Sequence, residues 1–117
     1  MKVLIAEDSR SVQFALRMAV EALGHEVVGV VNNGQEAIDR YPQTHPDLVL
    51  MDLVMPGMDG LSCTSQLTEQ DPTVRVLVLT GSRYDENDAR KAGAKGYLNK
   101  PFELAELDQQ LQMVSCS

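Results

Sequence analysis

Side chains suited to phosphoryl chemistry stand at or just beyond the ends of short apolar runs in this 117-residue chain. Asp52 is the most informative of them, because it directly follows the apolar residues 48–51 and should lie at the edge of a dry core. A charge buried there without a partner would be costly. A single acid after a strand is usually a helix cap or a solvated turn. The joint placement therefore matters more than any one member of the set, which consists of Glu7, Asp8, Asp52, Thr80 and Lys100.

The chemistry of this set would be metal-assisted phosphoryl transfer. If Glu7, Asp8 and Asp52 converge, their mutual repulsion raises at least one pKa unless a cation lies among them. Carboxylates, water and a backbone carbonyl are the ligands that suit Mg²⁺, which usually holds a phosphate as well. Lys100 would supply a point charge for one phosphoryl oxygen, and Thr80 would supply a hydroxyl for another. One carboxylate would then be free to act as the nucleophile.

The elements that must position these residues are visible as an alternation of short apolar runs and longer amphipathic stretches. Continuously apolar, β-branched runs are typical of strands that are buried on both faces of a parallel sheet. Sites in open sheets of this kind form beyond the carboxyl ends of the strands. The sequence therefore predicts a doubly wound α/β fold with five parallel strands, at residues 3–6, 27–31, 48–51, 76–79 and 96–98.

Five helices are predicted between and after the strands. The first carries an apolar stripe over residues 12–23 and ends at Gly24, and the second opens at Asn33 and is ended by Pro42. The third is expected over residues 60–69 and the fourth over residues 83–92. The fifth follows Pro101 and presents a stripe made by Leu104, Leu107, Leu111 and Val114.

The composition limits the kinds of partner. A net charge of −7 argues against contact with a phosphate backbone, so we expect no direct binding of nucleic acid. No apolar run approaches the roughly 18 residues of a membrane span. Cys63 and Cys116 form no C-x-x-C pair and are expected to be reduced thiols. We expect a cytoplasmic protein in which residues 1–117 form one domain.

At these residues the chain resembles the receiver domains of two-component response regulators, and the resemblance extends over its whole length. The matching segments are residues 3–9, 46–60, 79–81 and 92–102. The resemblance implies a flavodoxin-like sheet with strand order 2-1-3-4-5. It also implies a signalling switch that catalyses only its own phosphorylation and autodephosphorylation. The phosphoryl donor would be the phosphohistidine of a sensor histidine kinase or of a phosphotransfer protein.

The resemblance also implies a role for each matching position. Asp52 would be the phosphoacceptor, and it would hold Mg²⁺ together with Asp8 and the backbone carbonyl of Val54, while Glu7 would act mainly through water. Thr80 and Lys100 would bind phosphoryl oxygens, and the Lys100–Pro101 peptide would be cis. Tyr97 would be the switch aromatic, which changes the face made by helix 4, strand 5 and helix 5. A downstream protein or an output domain would read that face.

Three other functions would use some of the same features. A haloacid-dehalogenase-type phosphatase needs a second acid two positions after the nucleophile, and that position is Val54. A nucleotide-binding domain would need a glycine-rich phosphate loop after a strand, and none is present. A degenerate receiver is disfavoured because every acceptor-site residue is present. The chain could be a free-standing regulator of the chemotaxis kind or the receiver of a longer protein, and the sequence leaves both open.

Overall fold

The computed structural model describes residues 1–81 and 86–116, in which five parallel strands alternate with five helices. The sheet has the order β2-β1-β3-β4-β5, which confirms the predicted flavodoxin-like α/β fold. The strands are β1 (Lys2–Ala6), β2 (Glu26–Val31), β3 (Leu48–Asp52), β4 (Val76–Thr80) and β5 (Gly96–Asn99). The helices are α1 (Arg10–Ala22), α2 (Gly34–Thr44), α3 (Gly60–Gln70), α4 (Glu86–Lys91) and α5 (Leu104–Ser115).

The helices cover both faces of the sheet, which is why the central strands read as unbroken apolar runs. On one face α1 and α5 pack through residues such as Leu16 and Leu111. On the other face α2, α3 and α4 pack through Ala37, Leu67 and Ala89. Every residue of β3 and of β4 is buried, as expected for strands in the middle of a parallel sheet.

The register of the sheet brings the functional strand ends to one edge. Ala6 of β1 pairs with Met51 of β3, and Asp52 pairs with Leu79 of β4. Strands β1 and β3 are neighbours although β2 lies between them in sequence, so the strand order reverses at this point. Open α/β sheets place their ligand sites beside such a reversal. The chain therefore delivers its acids, from the ends of β1 and β3, to the place where this fold forms a crevice.

Helix α2 differs from the sequence prediction at its carboxyl end. Pro42 does not end the helix, which continues to Thr44 and stops at His45 in the left-handed conformation, with φ 47°. A proline removes its own N–H from the helix, but later residues can still bond to earlier carbonyls. Here the N–H of His45 donates to the carbonyl of Tyr41 at 3.2 Å. The prediction was wrong because Pro42 falls in the last turn, where one lost bond is tolerated.

Other expectations meet the structure in different ways. The predicted start of the fourth helix near residue 83 lies outside the described residues, and its described part ends at Lys91.

Cys63 is buried and Cys116 is exposed, and both are free thiols. Burial raises the pKa of Cys63 to about 12, and the charge of Asp59 adds to the effect. Within residues 1–81 and 86–116, no helix has the length and apolarity that crossing a membrane requires.

Candidate functional site

Three carboxylates converge at the carboxyl end of the sheet. Glu7, Asp8 and Asp52 each offer one oxygen, and these oxygens lie within 4.8 Å of one another. Glu7 is fixed by the sheet, because its N–H donates to the carbonyl of Val31 at 3.0 Å and extends the β1–β2 ladder by one residue. Asp8 is exposed, whereas Glu7 and Asp52 are buried. The three carboxylates therefore converge as expected from the sequence, and one of them is exposed while two are buried.

Asp52 lies at the centre of the polar contacts. Asp52 is only 4% exposed, and Lys100 Nζ lies 3.3 Å from its Oδ1. The backbone N–H of Val54 donates to the same oxygen at 3.3 Å, so the segment after β3 folds back towards the carboxylate. Lys100 Nζ also lies 3.7 Å from Glu7 Oε2. One ammonium group is thus shared between two buried carboxylates.

The electrostatics of the cluster fit a divalent cation. The pKa of Glu7 is raised to about 8, first because the carboxyl is buried, then because it shares a hydrogen bond with Asp52 and is repelled by that carboxylate. Lys100 opposes this rise only in part. When all three carboxylates are ionised, they carry three negative charges against the single positive charge of Lys100. Oxygen donors with excess negative charge are what Mg²⁺ requires, so the residues present fit this ion.

Thr80 and Lys100 come together at the ends of β4 and β5. Thr80 is fully buried, and its Oγ1 has no hydrogen-bond partner among the described residues. The Lys100–Pro101 peptide is cis, as the family resemblance predicts. A buried hydroxyl without a partner is uncommon in native proteins and calls for a reason. Here the hydroxyl stands at the same edge of the sheet as Asp52 and is available to donate.

A glycine allows α3 to start against the end of β3. A Cβ on Gly60 would lie 2.5 Å from the carbonyl oxygen of Asp52 and 2.6 Å from Leu53 Cα, which no side chain could occupy without a backbone shift. The N–H of Gly60 donates to the carbonyl of Leu53 at 3.1 Å, and the side chain of Asp59 caps the helix by accepting from the N–H of Ser62 at 2.8 Å. The position of Asp52 is therefore set by tight backbone packing as well as by the sheet.

Tyr97 lies on the same face of the sheet as Thr80. Val78 of β4 pairs with Tyr97, and side chains alternate between faces along a strand, so Val78, Thr80 and Tyr97 point to one side. Tyr97 is partly buried, and its hydroxyl donates to Asn99 Oδ1 at 3.1 Å. Thr80 and Tyr97 therefore lie on the same face of the sheet, on neighbouring strands.

Sequence reasoning missed one side chain that contacts the site loop. Gln13 Nε2 in α1 donates to the backbone carbonyl of Glu7 and also to Asn32 Oδ1, the latter at 2.9 Å. A glutamine on the polar side of an amphipathic helix carries no signal of such a contact. Only its position one turn and a half after the acidic pair, on the side facing β2, could have suggested it.

Comparison with known proteins agrees with this geometry. The model of the response regulator receiver domain matches residues 3–112. The chain is 34% identical over 116 residues to the chemotaxis protein CheY of Thermotoga maritima, and the match covers 97% of each chain.

Solved structures agree in the same way. One is the CheY of the CheX–CheY–BeF₃–Mg²⁺ complex from Borrelia burgdorferi, with a TM-score of 0.92, 29% identity, and coverage of 97% of this chain and 88% of that chain. Another is the receiver domain of a sensor histidine kinase from Pseudomonas aeruginosa, which was solved with a magnesium ion coordinated in its active site cleft. Its TM-score is 0.88 at 31% identity, over 99% of this chain and 98% of that one.

Proposed function

This chain belongs to the response regulator receiver family, in which it is similar to CheY proteins, and we propose that it is a phosphorylation switch whose acceptor is Asp52. The observation that carries the proposal is the buried carboxylate of Asp52, with Lys100 Nζ 3.3 Å away and two further carboxylates within ligand distance of a common ion. Residues 1–117 would form one such domain. As a switch, the chain would catalyse only its own phosphorylation and autodephosphorylation.

The reaction is transfer of a phosphoryl group from a phosphohistidine to Asp52. A carboxylate oxygen of Asp52 attacks phosphorus, an O–P bond forms, and the N–P bond of the donor breaks. The electron pair of that bond goes to the imidazole nitrogen, which takes up a proton from solvent. Lys100 would neutralise one of the transferring oxygens, and the hydroxyl of Thr80, which has no partner among the described residues, would donate to another. The donor would belong to a sensor histidine kinase or a phosphotransfer protein.

A Mg²⁺ ion would be held by Asp8, Asp52 and the backbone carbonyl of Val54, with Glu7 acting through water. When bound, the ion would neutralise charge on the phosphoryl oxygens and hold them in line with Asp52. The support for this assignment is the donor set itself, three carboxylates whose oxygens lie within 4.8 Å. The Pseudomonas aeruginosa receiver named above, which contains a coordinated magnesium ion, supports it by similarity.

The conformational change caused by phosphorylation would pass from Thr80 to Tyr97. The phosphoryl group adds about 1.5 to 2 negative charges at neutral pH, and Thr80 would move to donate to it. That movement would free space on the sheet face shared with Tyr97, and the face made by α4, β5 and α5 would change. Moving an equilibrium from 1:99 to 99:1 takes about 5.5 kcal/mol of differential binding. Two charge-assisted hydrogen bonds at roughly 1.5–3 kcal/mol each would supply most of it.

A phosphatase that uses the same nucleophile is disfavoured by one residue. Such an enzyme needs an acid two positions after the nucleophile to protonate its leaving group, and Val54 is apolar and half exposed there. We therefore propose signalling through a protein partner or an output domain. The net charge of −7 argues that this chain does not itself bind nucleic acid.

The test is phosphate uptake from a small donor such as acetyl phosphate in the presence of Mg²⁺. Asp52→Asn should abolish the base-labile phosphate on the protein, because it removes the nucleophile. Asp59→Asn is the matched control. It makes the same change seven positions further along and keeps a side chain that can cap α3, so it should label like the wild type.

Stoichiometric labelling of Asp52→Asn at the wild-type rate would refute the acceptor assignment. The site of modification can be read independently by reduction of the acyl phosphate with borohydride, which converts the acceptor to homoserine. Homoserine at position 52 in the wild-type protein would support the proposal, and homoserine at another aspartate would overturn it.

A further inference from the structure

We propose that Gln13 is a positioning residue for the acidic cluster, and that it acts by holding the peptide between Glu7 and Asp8. The inference rests on the proposed function in so far as the cluster is a Mg²⁺ site. Gln13 lies in the first half of α1 and is partly buried. Its side-chain amide donates to two acceptors from different segments, the carbonyl of Glu7 and Oδ1 of Asn32. Both amide hydrogens are thereby used, and the side chain has one defined orientation.

The carbonyl of Glu7 matters because it shares a peptide plane with the nitrogen of Asp8. A trans peptide is rigid, so a hydrogen bond that fixes the carbonyl also fixes the direction in which the chain reaches Asp8. The carboxylate of Asp8 is exposed, and in the described part of the chain no hydrogen bond or ion pair restrains it. Its place beside Asp52 is therefore set by the backbone, and the side chain of Gln13 donates a hydrogen bond to that backbone.

The acceptor on the other side of Gln13 is itself anchored. The backbone N–H of Asn32 donates to Glu36 Oε1 at 2.7 Å, and the Asn32 side chain lies 3.4 Å from the same oxygen. Glu36 sits in the first turn of α2, where its own N–H donates to Asn33 Oδ1 at 2.9 Å. The amide of Gln13 is thus held against the capped start of α2, and it spans from there to the loop that follows β1.

This bridge lies beyond the sheet ladder and is not needed to keep it. The N–H of Glu7 already donates to Val31, so β1 and β2 are paired up to Glu7 without Gln13. Gln13 takes the carbonyl at the point where the chain leaves the sheet. Its loss should therefore free the loop at Asp8 and weaken the cation site, while the paired strands keep their contacts.

The experiment compares Mg²⁺ binding by calorimetry in the full chain and in Gln13→Met, which keeps the size of the side chain and removes both donors. Loss of a group that supports metal ligands typically weakens the site by about 10- to 100-fold, and we expect a rise of that size in the Kd for Mg²⁺. Phosphate uptake should need correspondingly more Mg²⁺ but reach the wild-type rate at saturation. In the metal-free protein, the amide resonance of Asp8 should shift.

Gln112→Met is the matched control, because its amide donates only within α5, to Asp108 Oδ2 at 3.1 Å. It should bind Mg²⁺ like the wild type. Asn32→Ala removes the anchor of Gln13 from an exposed position, so it should also raise the Kd for Mg²⁺, by a smaller factor. This variant tests the inference even if Gln13→Met does not fold. An unchanged Kd in these variants, with normal binding by the wild type, overturns the role of Gln13 and leaves the proposed function standing. Absence of Mg²⁺ binding by the wild type overturns both.

Discussion

The backbone N–H of Lys100 donates to the carbonyl oxygen of Thr80 at 2.7 Å. This bond continues the β4–β5 ladder one residue past its last paired residues, Thr80 and Asn99. The two groups that we propose for phosphoryl oxygens are therefore linked through their backbones, as well as by their common position at the edge of the sheet. A movement of β4 at Thr80 would therefore also displace the backbone of Lys100.

The hydroxyl of Thr80 should cost stability in the unphosphorylated protein. It is buried and has no hydrogen-bond partner among the described residues, so Thr80→Val, which keeps the shape, should raise the free energy of unfolding by about 1 kcal/mol. The same variant should still accept phosphate on Asp52 but lose the switch. The measurements are urea unfolding, and amide exchange across residues 83–107 with and without Mg²⁺ and beryllofluoride, an analogue of the phosphoryl group.

Thr80→Ser keeps the hydroxyl and is the control for the switch, since it should respond to beryllofluoride like the wild type. The coupling between Thr80 and Tyr97 is wrong if Thr80→Val responds as strongly as the wild type, or if the wild type shows no response at all.

Removal of one acid should relieve repulsion in the metal-free cluster. Asp8→Asn should raise the free energy of unfolding in EDTA by about 1 kcal/mol, the size expected for charges near 5 Å apart at a wet site. Mg²⁺ should raise the unfolding midpoint of the wild type, because an ion that binds only the folded state stabilises it, and should have little effect on the variant. Glu69→Gln removes an exposed charge outside the cluster and should leave both results unchanged.

The close contact at Gly60 makes a prediction about the backbone under the acceptor. Gly60→Ala should lower the free energy of unfolding by roughly 1–3 kcal/mol, because its Cβ would overlap the carbonyl of Asp52. Gly81→Ala is the matched control, since a Cβ there meets no atom of the described residues within 4 Å. Equal urea midpoints for the two variants would contradict the packing of α3 against the end of β3. The Gly60 variant should also label more slowly, because Asp52 would be displaced.

A pH dependence is expected at Asp71, the residue that follows the last turn of α3. The pKa of Asp71 is lowered, first by the hydroxyl of Thr73 at 2.6 Å, then by the hydroxyl of Tyr41 at 2.8 Å and the N–H of Thr73 at 3.0 Å. A folded-state pKa below the unfolded value of 3.8 gives stability that is present above about pH 4 and is lost as the pH falls through the folded pKa.

Thr73→Val removes the largest of these contributions, so it should raise the pKa of Asp71 in a carboxyl NMR titration. The difference in unfolding free energy between wild type and variant should shrink as the pH falls below about 4, because the carboxyl of Asp71 then becomes protonated in both folded proteins. Thr44→Val is the control, because the hydroxyl of Thr44 donates only to backbone carbonyls of its own helix. An unchanged pKa of Asp71 in Thr73→Val would contradict the hydrogen-bond assignment.

The sequence by itself determined the architecture and the edge of the sheet at which the site residues lie. Residues 48–51 and 76–79 are apolar without interruption, and only a strand covered on both faces needs such a pattern. Once the strands are parallel, an acid such as Asp52 at the end of one strand and Thr80 at the end of the next must share an edge. The cis peptide before Pro101 followed from the family resemblance alone, because the local sequence permits either isomer.

Tertiary structure alone decided how these groups meet. Lys100 reaches both Glu7 and Asp52 because of the strand order, which brings the end of β5 back to residues from the other end of the chain. Burial raises the pKa of Glu7 and leaves the hydroxyl of Thr80 without a partner among the described residues, and residue type reveals neither effect. The contacts of Gln13 with Glu7 and Asn32 depend on the angle between α1 and the sheet. Each of these features joins residues that are distant in sequence, and their distances are fixed only when the packed core fixes the positions of whole strands and helices.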